Sequence, residues 1–309
     1  MYFNELEPKL ELYLDSLRSK NYSNETIKNY NTAITKFIAY GLTAEAEAEI
    51  RPDSINQVIE NYQAYLSTSE SYSYSTVNQY ITNLKPFFSN LGLEFKVKKV
   101  NTEVNPDIKY LTAKEIEEVL FTIDQIELDH FKKQQYKALV RFIFYTGARI
   151  KEVEKLRVKD IKKDKISYYV VINGKGNKTV KQYLPDKAYT MIKELAELRS
   201  ISMNSNEPLF INSNGTVLSV RSIQKYFNKI GAITDKRLAN NGKAPEPSIA
   251  DRFTPHSLRH SLAIYLLIDK SRPINEVKEM LRHTDIKTTQ KYLILSNTVT
   301  RTRANDLFN

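Results

Sequence analysis

Cysteine is absent from the 309 residues of the chain, and long apolar runs are missing too. The absence of cysteine excludes disulfides, thiolate nucleophiles and cysteine-ligated metals, and it is typical of a cytosolic protein. The run LAIYLLI is far shorter than the roughly 20 apolar residues of a membrane span. The start, MYFNELEPKLELYLDSL, lacks the basic-then-apolar layout of a secretory signal. We therefore expect a cytoplasmic protein without a membrane partner.

Positive charge is abundant, since 46 Lys and Arg outnumber 36 Asp and Glu and give a net charge of +10. The excess is spread along the chain, so the folded surface must carry it. A soluble basic protein without a special partner is one interpretation, and a nucleic-acid-binding protein is the other. The length allows two domains of ordinary size, and 41% apolar residues allow each to form a core.

The first 98 residues show helical periodicity throughout and predict an all-helical domain. Helices are predicted over about residues 3–20, from Asn24, after PDSINQ, and after Ser75. Ser54 and Gln57 have capping-box spacing. Pro86 lies inside the fourth pattern, where a proline is expected to kink or split the helix.

Residues 99–109 lack a core face and predict a linker to a second domain, residues 110–309. Thr112 and Glu115 predict a capping box, and KALVRFIFYTG predicts a helix that ends near Gly147. ISYYVVINGKGNKTVKQYLP has the pattern of a β-hairpin. DKRLANNGKAPEPSIAD is predicted to be a loop, and the last 55 residues to be helical. The predicted fold class is mainly α with a small antiparallel β-sheet.

TPHSLRHS predicts a helix start that suits an anion. Thr254 can cap the helix, and Pro255 suits its first position. His256 and Arg259 then lie on one face near the free N–H groups and the positive dipole end. A solvated polar first turn is the alternative. His256 and His260 also have the spacing of a zinc pair, but an arginine between them would repel a cation, so we predict no metal.

The chain resembles the tyrosine recombinases, the phage integrase family, on five motifs that occur in order. The motifs are YTGARIKEV with Arg149 and Glu152, NGKGNK with Lys175, HSLRH with His256 and Arg259, LRHTD with His283, and TTQKYL with Tyr292. SNETIKNYNTAITKF and YSTVNQYITNLKPFF resemble helices of the family's N-terminal core-binding domain. The family usually has Leu-Gly-His where this chain has Leu281-Arg282-His283. Arg282 is expected either to add a phosphate contact or to reshape the turn.

The resemblance implies transesterification of DNA, in which Tyr292 attacks a backbone phosphate and forms a 3′-phosphotyrosine. Arg149 and Arg259 suit the charged transition state, since a guanidinium can hold two oxygens. His256 and His283 would add hydrogen bonds, with His256 helping to take the tyrosine proton. Lys175 would protonate the leaving 5′-oxygen, and its G-K-G setting favours it over Lys178. Glu152 would support the site, and neither a metal nor another cofactor is implied.

The family also implies partners and an assembly. The implied substrate is a double-stranded DNA recombination site, which the protein holds in a C-shaped clamp. The implied assembly is a homo-tetramer on two duplexes, in which the C-terminal tail of each protomer packs on a neighbour through Leu307 and Phe308. The implied location is the nucleoid in the cytoplasm. An activator protein stays open, as does the biological role, which is either Xer-like dimer resolution or integration and excision of a mobile element. The alternatives are a type IB topoisomerase, which relaxes DNA without strand exchange, and a non-catalytic excision factor.

Overall fold

The computed structural model describes residues 1–46, 48–68, 72–100, 108–173, 179–283, 285–286 and 288–293. The chain forms two compact units, an N-terminal unit, Met1–Val104, and a C-terminal unit, Asn105–Asn309. The boundaries predicted above, 1–98 and 110–309, stay a prediction, since residues 101–107 lie outside the described ranges. Within those ranges, every helix is too short or too polar to cross a membrane.

The N-terminal unit is helical, as its periodicity predicts. Serine hydroxyls start two of the helices: Ser23 accepts a hydrogen bond from the amide of Thr26, and Ser73 accepts one from Thr76. The apolar stripes meet in a core where Phe37 packs within 5.5 Å, centroid to centroid, of three other aromatic rings. The helices are α1 (Leu6–Ser19), α2 (Asn24–Ala44), α3 (Ile55–Thr68) and α4 (Tyr74–Asn90).

Two local predictions for this unit are wrong, the split of the fourth helix and the capping box at Ser54, whereas a kink at Pro86 stays a prediction. Helix α4 is not split, since it continues through Pro86 to Asn90 with Phe87 and Phe88 fully buried beside the proline. The capping box at Ser54 does not form. Its hydroxyl accepts a hydrogen bond from the amide of Arg51 and donates one to the Glu49 carbonyl, which belong to the preceding turn.

The C-terminal unit packs helices around a small sheet. The predicted capping box at Thr112 is confirmed, with the Glu115 amide donating to the Thr112 hydroxyl and the Thr112 amide donating to the Glu115 carboxylate. The helices are α5 (Ala113–Gln125), α6 (His130–Thr146), α7 (Ile150–Lys155), α8 (Asp186–Leu198), α9 (Val220–Asn240), α10 (Ile249–Arg252), α11 (Pro255–Ile264) and α12 (Ile274–Leu281). Residues 288–293 are also helical.

The predicted hairpin is present in a three-stranded antiparallel sheet of order β1-β2-β3. Its strands are β1 (Ile161–Lys163), β2 (Tyr168–Asn173) and β3 (Thr179–Leu184). The pair Asn173–Thr179 is the last described pair between β2 and β3. The predicted fold class, mainly α with a small antiparallel sheet, is confirmed. The C-shaped clamp stays a prediction.

The loop or insertion predicted at DKRLANNGKAPEPSIAD is wrong at both ends, because α9 continues to Asn240 and α10 begins at Ile249. Ile230, Thr234 and Leu238 are buried at helical spacing and extend the stripe of α9 into that segment. The carboxylate of Asp235 accepts hydrogen bonds from the amides of Ile249 and Ala250, and so joins α9 to the start of α10.

Candidate active site

Gly147 ends α6 and sets the position of Arg149. It has a φ of +58°, and a Cβ there would lie 2.9 Å from Cδ2 of Leu281, so glycine alone fits. Arg149 then caps α7. Its amide donates to Glu152 Oε2 at 2.8 Å, and its guanidinium donates to Glu152 Oε1 at 3.1 Å. The Arg149 side chain is still 51% exposed, so it can also receive an anion from solvent.

Arg259 lies on α11, which Thr254 caps and Pro255 begins as predicted. The residue is buried, and its guanidinium donates to the backbone carbonyls of Gly147 and Leu281. These two contacts orient the guanidinium and connect the ends of α6 and α12. Burial, with Arg149 and Arg282 nearby, lowers the pKa of Arg259 to about 10, so the group stays charged at neutral pH.

Tyr292 is 1% exposed, and its hydroxyl lies 2.6 Å from Nδ1 of His260. Burial raises the pKa of Tyr292 to about 12, and the positive charge of Arg259 opposes that increase. The phenol is therefore protonated at neutral pH. The described conformation holds the hydroxyl against an imidazole, inside the unit.

His260 is the residue of this site that the sequence argument missed. In the sequence, its spacing from His256 suggested only a weak metal pair. The two imidazole rings are nearly perpendicular, with centroids 4.3 Å apart. Burial, then the positive charge of Lys291, lowers the pKa of His260 to about 3. A neutral imidazole can accept a proton, so its Nδ1 is suited to the tyrosine hydroxyl. The spacing of His260 from His256 does not indicate the contact of His260 with Tyr292, because Tyr292 lies 32 positions further along the chain.

The two predicted histidines flank this pair. His256 lies in the first turn of α11, and its pKa is lowered by partial burial of the ring and by the positive charge of Lys291. His283 Nδ1 lies 2.8 Å from the hydroxyl of Thr289. Burial, with Arg259 and Arg149 nearby, lowers the pKa of His283 to about 4. Both histidines are neutral at pH 7 and suited to hydrogen bonding.

Arg282 follows α12 with a φ of +55°, in the left-handed region. Its guanidinium donates to Glu152 Oε2 and to Gln182 Oε1, each at 2.8 Å. The guanidinium is thus bound to protein groups. A phosphate contact by Arg282 and a reshaped turn both stay predictions.

Lys175 lies outside the described residues, as does the predicted tail with Leu307 and Phe308. The strands on either side of residues 174–178 are described, with Val170, Ile172 and Leu184 buried. Of the predicted site residues, the described structure thus gathers Arg149, Glu152, His256, Arg259, His283 and Tyr292 around the ends of α6, α11 and α12.

The arrangement is cationic and suits an oxyanion. Arg149, Arg282 and Lys291 all contribute positive charge around Arg259 and the histidines, and Glu152 is the carboxylate among them. In the described ranges, His, Asp and Glu do not form a group of three that could hold a metal ion. Guanidinium groups around a buried phenol can stabilise a phosphate that the phenol attacks.

Two sequence profiles match the chain. The profile described as Phage integrase family matches residues 109–298, and that of the phage integrase N-terminal SAM-like domain matches residues 10–94. Tyrosine recombinase XerD of Oceanobacillus iheyensis is 26% identical, over 98% of this chain and 97% of its own length. Tyrosine recombinase XerC of Bacillus subtilis is 27% identical, over 94% of this chain and 93% of its own.

Solved structures share the fold. XerH site-specific recombinase in a post-cleavage complex with its palindromic difH substrate aligns with a TM-score of 0.71 at 23% identity, over 97% of this chain and 84% of that one. The integrase of transposon Tn1549, in complex with transposon right end DNA, aligns with a TM-score of 0.64 at 16% identity, over 98% of this chain and 99% of that one.

Proposed function

The chain belongs to the phage integrase family and is a tyrosine site-specific recombinase, and from this premise we propose that it cleaves and rejoins DNA through Tyr292. The observation that carries the assignment is the phenol of Tyr292, buried between His260 and the charge of Arg259. In the proposed step a bond forms between Tyr292 Oη and phosphorus, and the bond from phosphorus to the 5′-oxygen breaks. The phosphodiester energy is kept in the 3′-phosphotyrosine, so rejoining is the reverse reaction.

The two predicted arginines stabilise the transition state in this proposal. Charge builds up on the non-bridging phosphate oxygens, and Arg149 can turn its exposed guanidinium toward them. Arg259 adds a charge whose position is fixed by two carbonyls. Groups that are already oriented need no reorganisation during the reaction.

Proton transfer is the second requirement, because Tyr292 has a pKa of about 12 in the described conformation. Approach of a phosphate anion raises the basicity of neighbouring imidazoles, so His260 or His256 can then take the phenolic proton. Lys175, in the segment between β2 and β3, is proposed to protonate the 5′-oxygen as it leaves. Glu152 supports Arg149 and does not react.

A nicked suicide duplex, from which the 5′-hydroxyl strand diffuses away, tests the assignment. Tyr292→Phe should abolish the covalent adduct on a denaturing gel and leave the DNA dissociation constant within about twofold, because only a hydroxyl is removed. The matched control is Tyr226→Phe, since the Tyr226 hydroxyl is also buried and has no hydrogen-bond partner. Persistent adduct in Tyr292→Phe would place the nucleophile elsewhere.

The assembly is part of the proposal. We propose that the substrate is a double-stranded recombination site in cytoplasmic, nucleoid DNA, with four protomers on two duplexes and each tail docked on a neighbour through Leu307 and Phe308. Deletion from Thr300 onward should leave DNA binding intact and lower recombination, as measured by product formation between two labelled sites. Unchanged recombination would contradict docking in trans. Dimer resolution and mobile-element transfer both stay open roles, as does an activator protein.

A further inference from the structure

Arg282 has an unusual backbone conformation for its side chain. It is one of four non-glycine residues in the described ranges with positive φ, and the other three are Asn21, Ser200 and Ser271. Those three are short and polar, which suits the left-handed region, whereas arginine has no local hydrogen bond to offset the crowding of its Cβ. The conformation persists only if contacts of the side chain or of the surrounding chain stabilise it.

The contacts of Arg282 span three other elements. One terminal nitrogen donates to Gln182 Oε1 of β3 at 2.8 Å and to the Thr146 carbonyl of α6 at 3.3 Å. The other donates to Glu152 Oε2 of α7 at 2.8 Å. The side chain is 10% exposed, so this guanidinium is bound inside the unit, and its charge is little screened.

Glu152 is shared between two arginines. Its Oε2 accepts from Arg282 and from the Arg149 amide, and its Oε1 accepts from the Arg149 guanidinium. Arg282 therefore supplies one of the two guanidinium groups that donate hydrogen bonds to this carboxylate. Without it, the carboxylate could turn both oxygens toward the Arg149 guanidinium, which would then be less available to an incoming phosphate.

Gln182 extends the same network to the hairpin. It is buried, lies on β3 and pairs in register with Val170 of β2. Strands β2 and β3 flank the segment that contains Lys175, which lies outside the described residues. Arg282 is thus bonded both to the carboxylate that orients Arg149 and to the hairpin, and it directly precedes His283.

We propose that Arg282 is a positioning residue for cleavage: through Glu152 it keeps the Arg149 guanidinium oriented and available to the phosphate, without contacting DNA itself. The inference rests on the proposed function, because it concerns the cleavage rate at Tyr292. It predicts a loss of rate without a loss of affinity.

Arg282→Gly is the informative variant, since glycine adopts the positive φ without strain and the turn is retained. In single-turnover assays on the suicide duplex, the adduct-forming rate constant should fall about 10-fold to 100-fold, because the orientation of a reacting group is lost. The DNA dissociation constant and the fraction of active protein should stay within about twofold. In a Glu152→Gln background, the same change should lower the rate less than about twofold, because the mediating carboxylate is already gone.

Arg282→Lys separates charge from geometry. One ammonium group cannot span Glu152 and Gln182, so this variant should also be slow, and a wild-type rate would overturn the proposal. Two controls lie beside α12: Ser271→Gly relieves a positive φ, and Arg272→Ala removes an exposed positive charge. Both should cleave at the wild-type rate, and a loss as large as that of Arg282→Gly would contradict a specific role for Arg282.

Two other outcomes would overturn the proposal. A weaker affinity for Arg282→Gly, with the salt slope of binding reduced by about one, would indicate a direct phosphate contact. An equal loss of rate in the Glu152→Gln background would show that Arg282 does not act through Glu152. Tyr292→Phe is measured in parallel: adduct that persists there refutes the nucleophile, whereas a wild-type rate in Arg282→Gly refutes only the positioning role.

Discussion

The two units differ in what they bury. In the described part of the N-terminal unit, the buried side chains are apolar and aromatic, centred on Phe37 and its ring contacts. The buried polar and charged residues of the described chain all lie in the C-terminal unit, among them Arg259, His260 and Gln182. Burial of a polar or charged group is unfavourable unless the group is hydrogen-bonded, and Arg259 and His260 are both held by hydrogen bonds that fix their geometry. The C-terminal unit is thereby identified as the one organised around chemistry.

The largest effect is expected from Arg259→Lys. Lysine cannot donate in parallel to the Gly147 and Leu281 carbonyls, so the charge loses its orientation and a buried carbonyl loses its donor. The rate of covalent adduct formation should fall about 10²-fold to 10³-fold, the usual effect of removing an oriented transition-state donor. Single-turnover kinetics measures it, and a rate within about threefold of wild type would remove Arg259 from the reaction.

The counterpart in the N-terminal unit is Phe88→Ala, which should affect stability and leave the chemistry unchanged. Phe88 is fully buried and packs edge-on against Phe37. Truncation of a buried phenylalanine costs about 3–5 kcal/mol of unfolding free energy. Hydrogen exchange of the full chain should show faster exchange in α2 and α4. At saturating DNA, the folded Phe88→Ala protein should form the covalent adduct at about the wild-type rate. A tenfold lower rate under these conditions would contradict the conclusion that the N-terminal unit does not contribute to the chemistry.

The effect that is smallest at neutral pH is an acid sensitivity confined to the C-terminal unit, where all four histidines of the chain lie. The pKa of His283 is lowered to about 4 and that of His260 to about 3, against roughly 6.5 in the unfolded chain. Below pH 6.5 the unfolded state therefore binds protons that the folded state does not. The stability of this unit is complete above pH 6.5 and declines as the pH falls toward 4, by at most about 1.4 kcal/mol per pH unit for each histidine.

Hydrogen exchange between pH 7 and pH 4.5, corrected for intrinsic rates, measures this decline helix by helix. Helices α11 and α12 should lose protection, while α2 and α4 keep theirs, since the N-terminal unit contains no histidine. His283→Asn removes one of the two histidines, His260 and His283, and should reduce the slope of the unfolding free energy against pH. Equal losses in both units would refute histidine protonation as the cause.

Periodicity and local motifs predicted most of the fold. The buried stripes, the Thr112 capping box, the end of α6 at Gly147 and the hairpin depend on residues close in sequence, and all are present. The ion pair of Arg149 with Glu152 is local too, because the two residues are three positions apart, about one helical turn. The end of α9 was missed because Gly, Asn and Pro nearby suggested a loop, whereas tertiary packing of Leu238 extends the helix.

The long-range part of the site could not be predicted in this way. The acceptors of the Arg259 guanidinium are backbone carbonyls, which no side-chain motif marks. The contact between His260 and Tyr292 spans 32 positions, and that between Arg282 and Gln182 spans 100. Such contacts depend on how helices pack, and only the structure gives that. The order of the motifs indicated the chemistry, and the structure adds His260 and Arg282 to it.

The most direct test of the account is to identify the residue that becomes linked to DNA. Covalent adduct from the suicide duplex is digested with trypsin and nuclease, and the nucleotide-bearing peptide is sequenced by mass spectrometry. Cleavage after Lys291 and Arg301 releases YLILSNTVTR, in which Tyr292 is the single tyrosine. We predict the nucleotide on that peptide. A nucleotide on another tyrosine peptide, such as HSLAIYLLIDK with Tyr265, would contradict the assignment of Tyr292 as nucleophile.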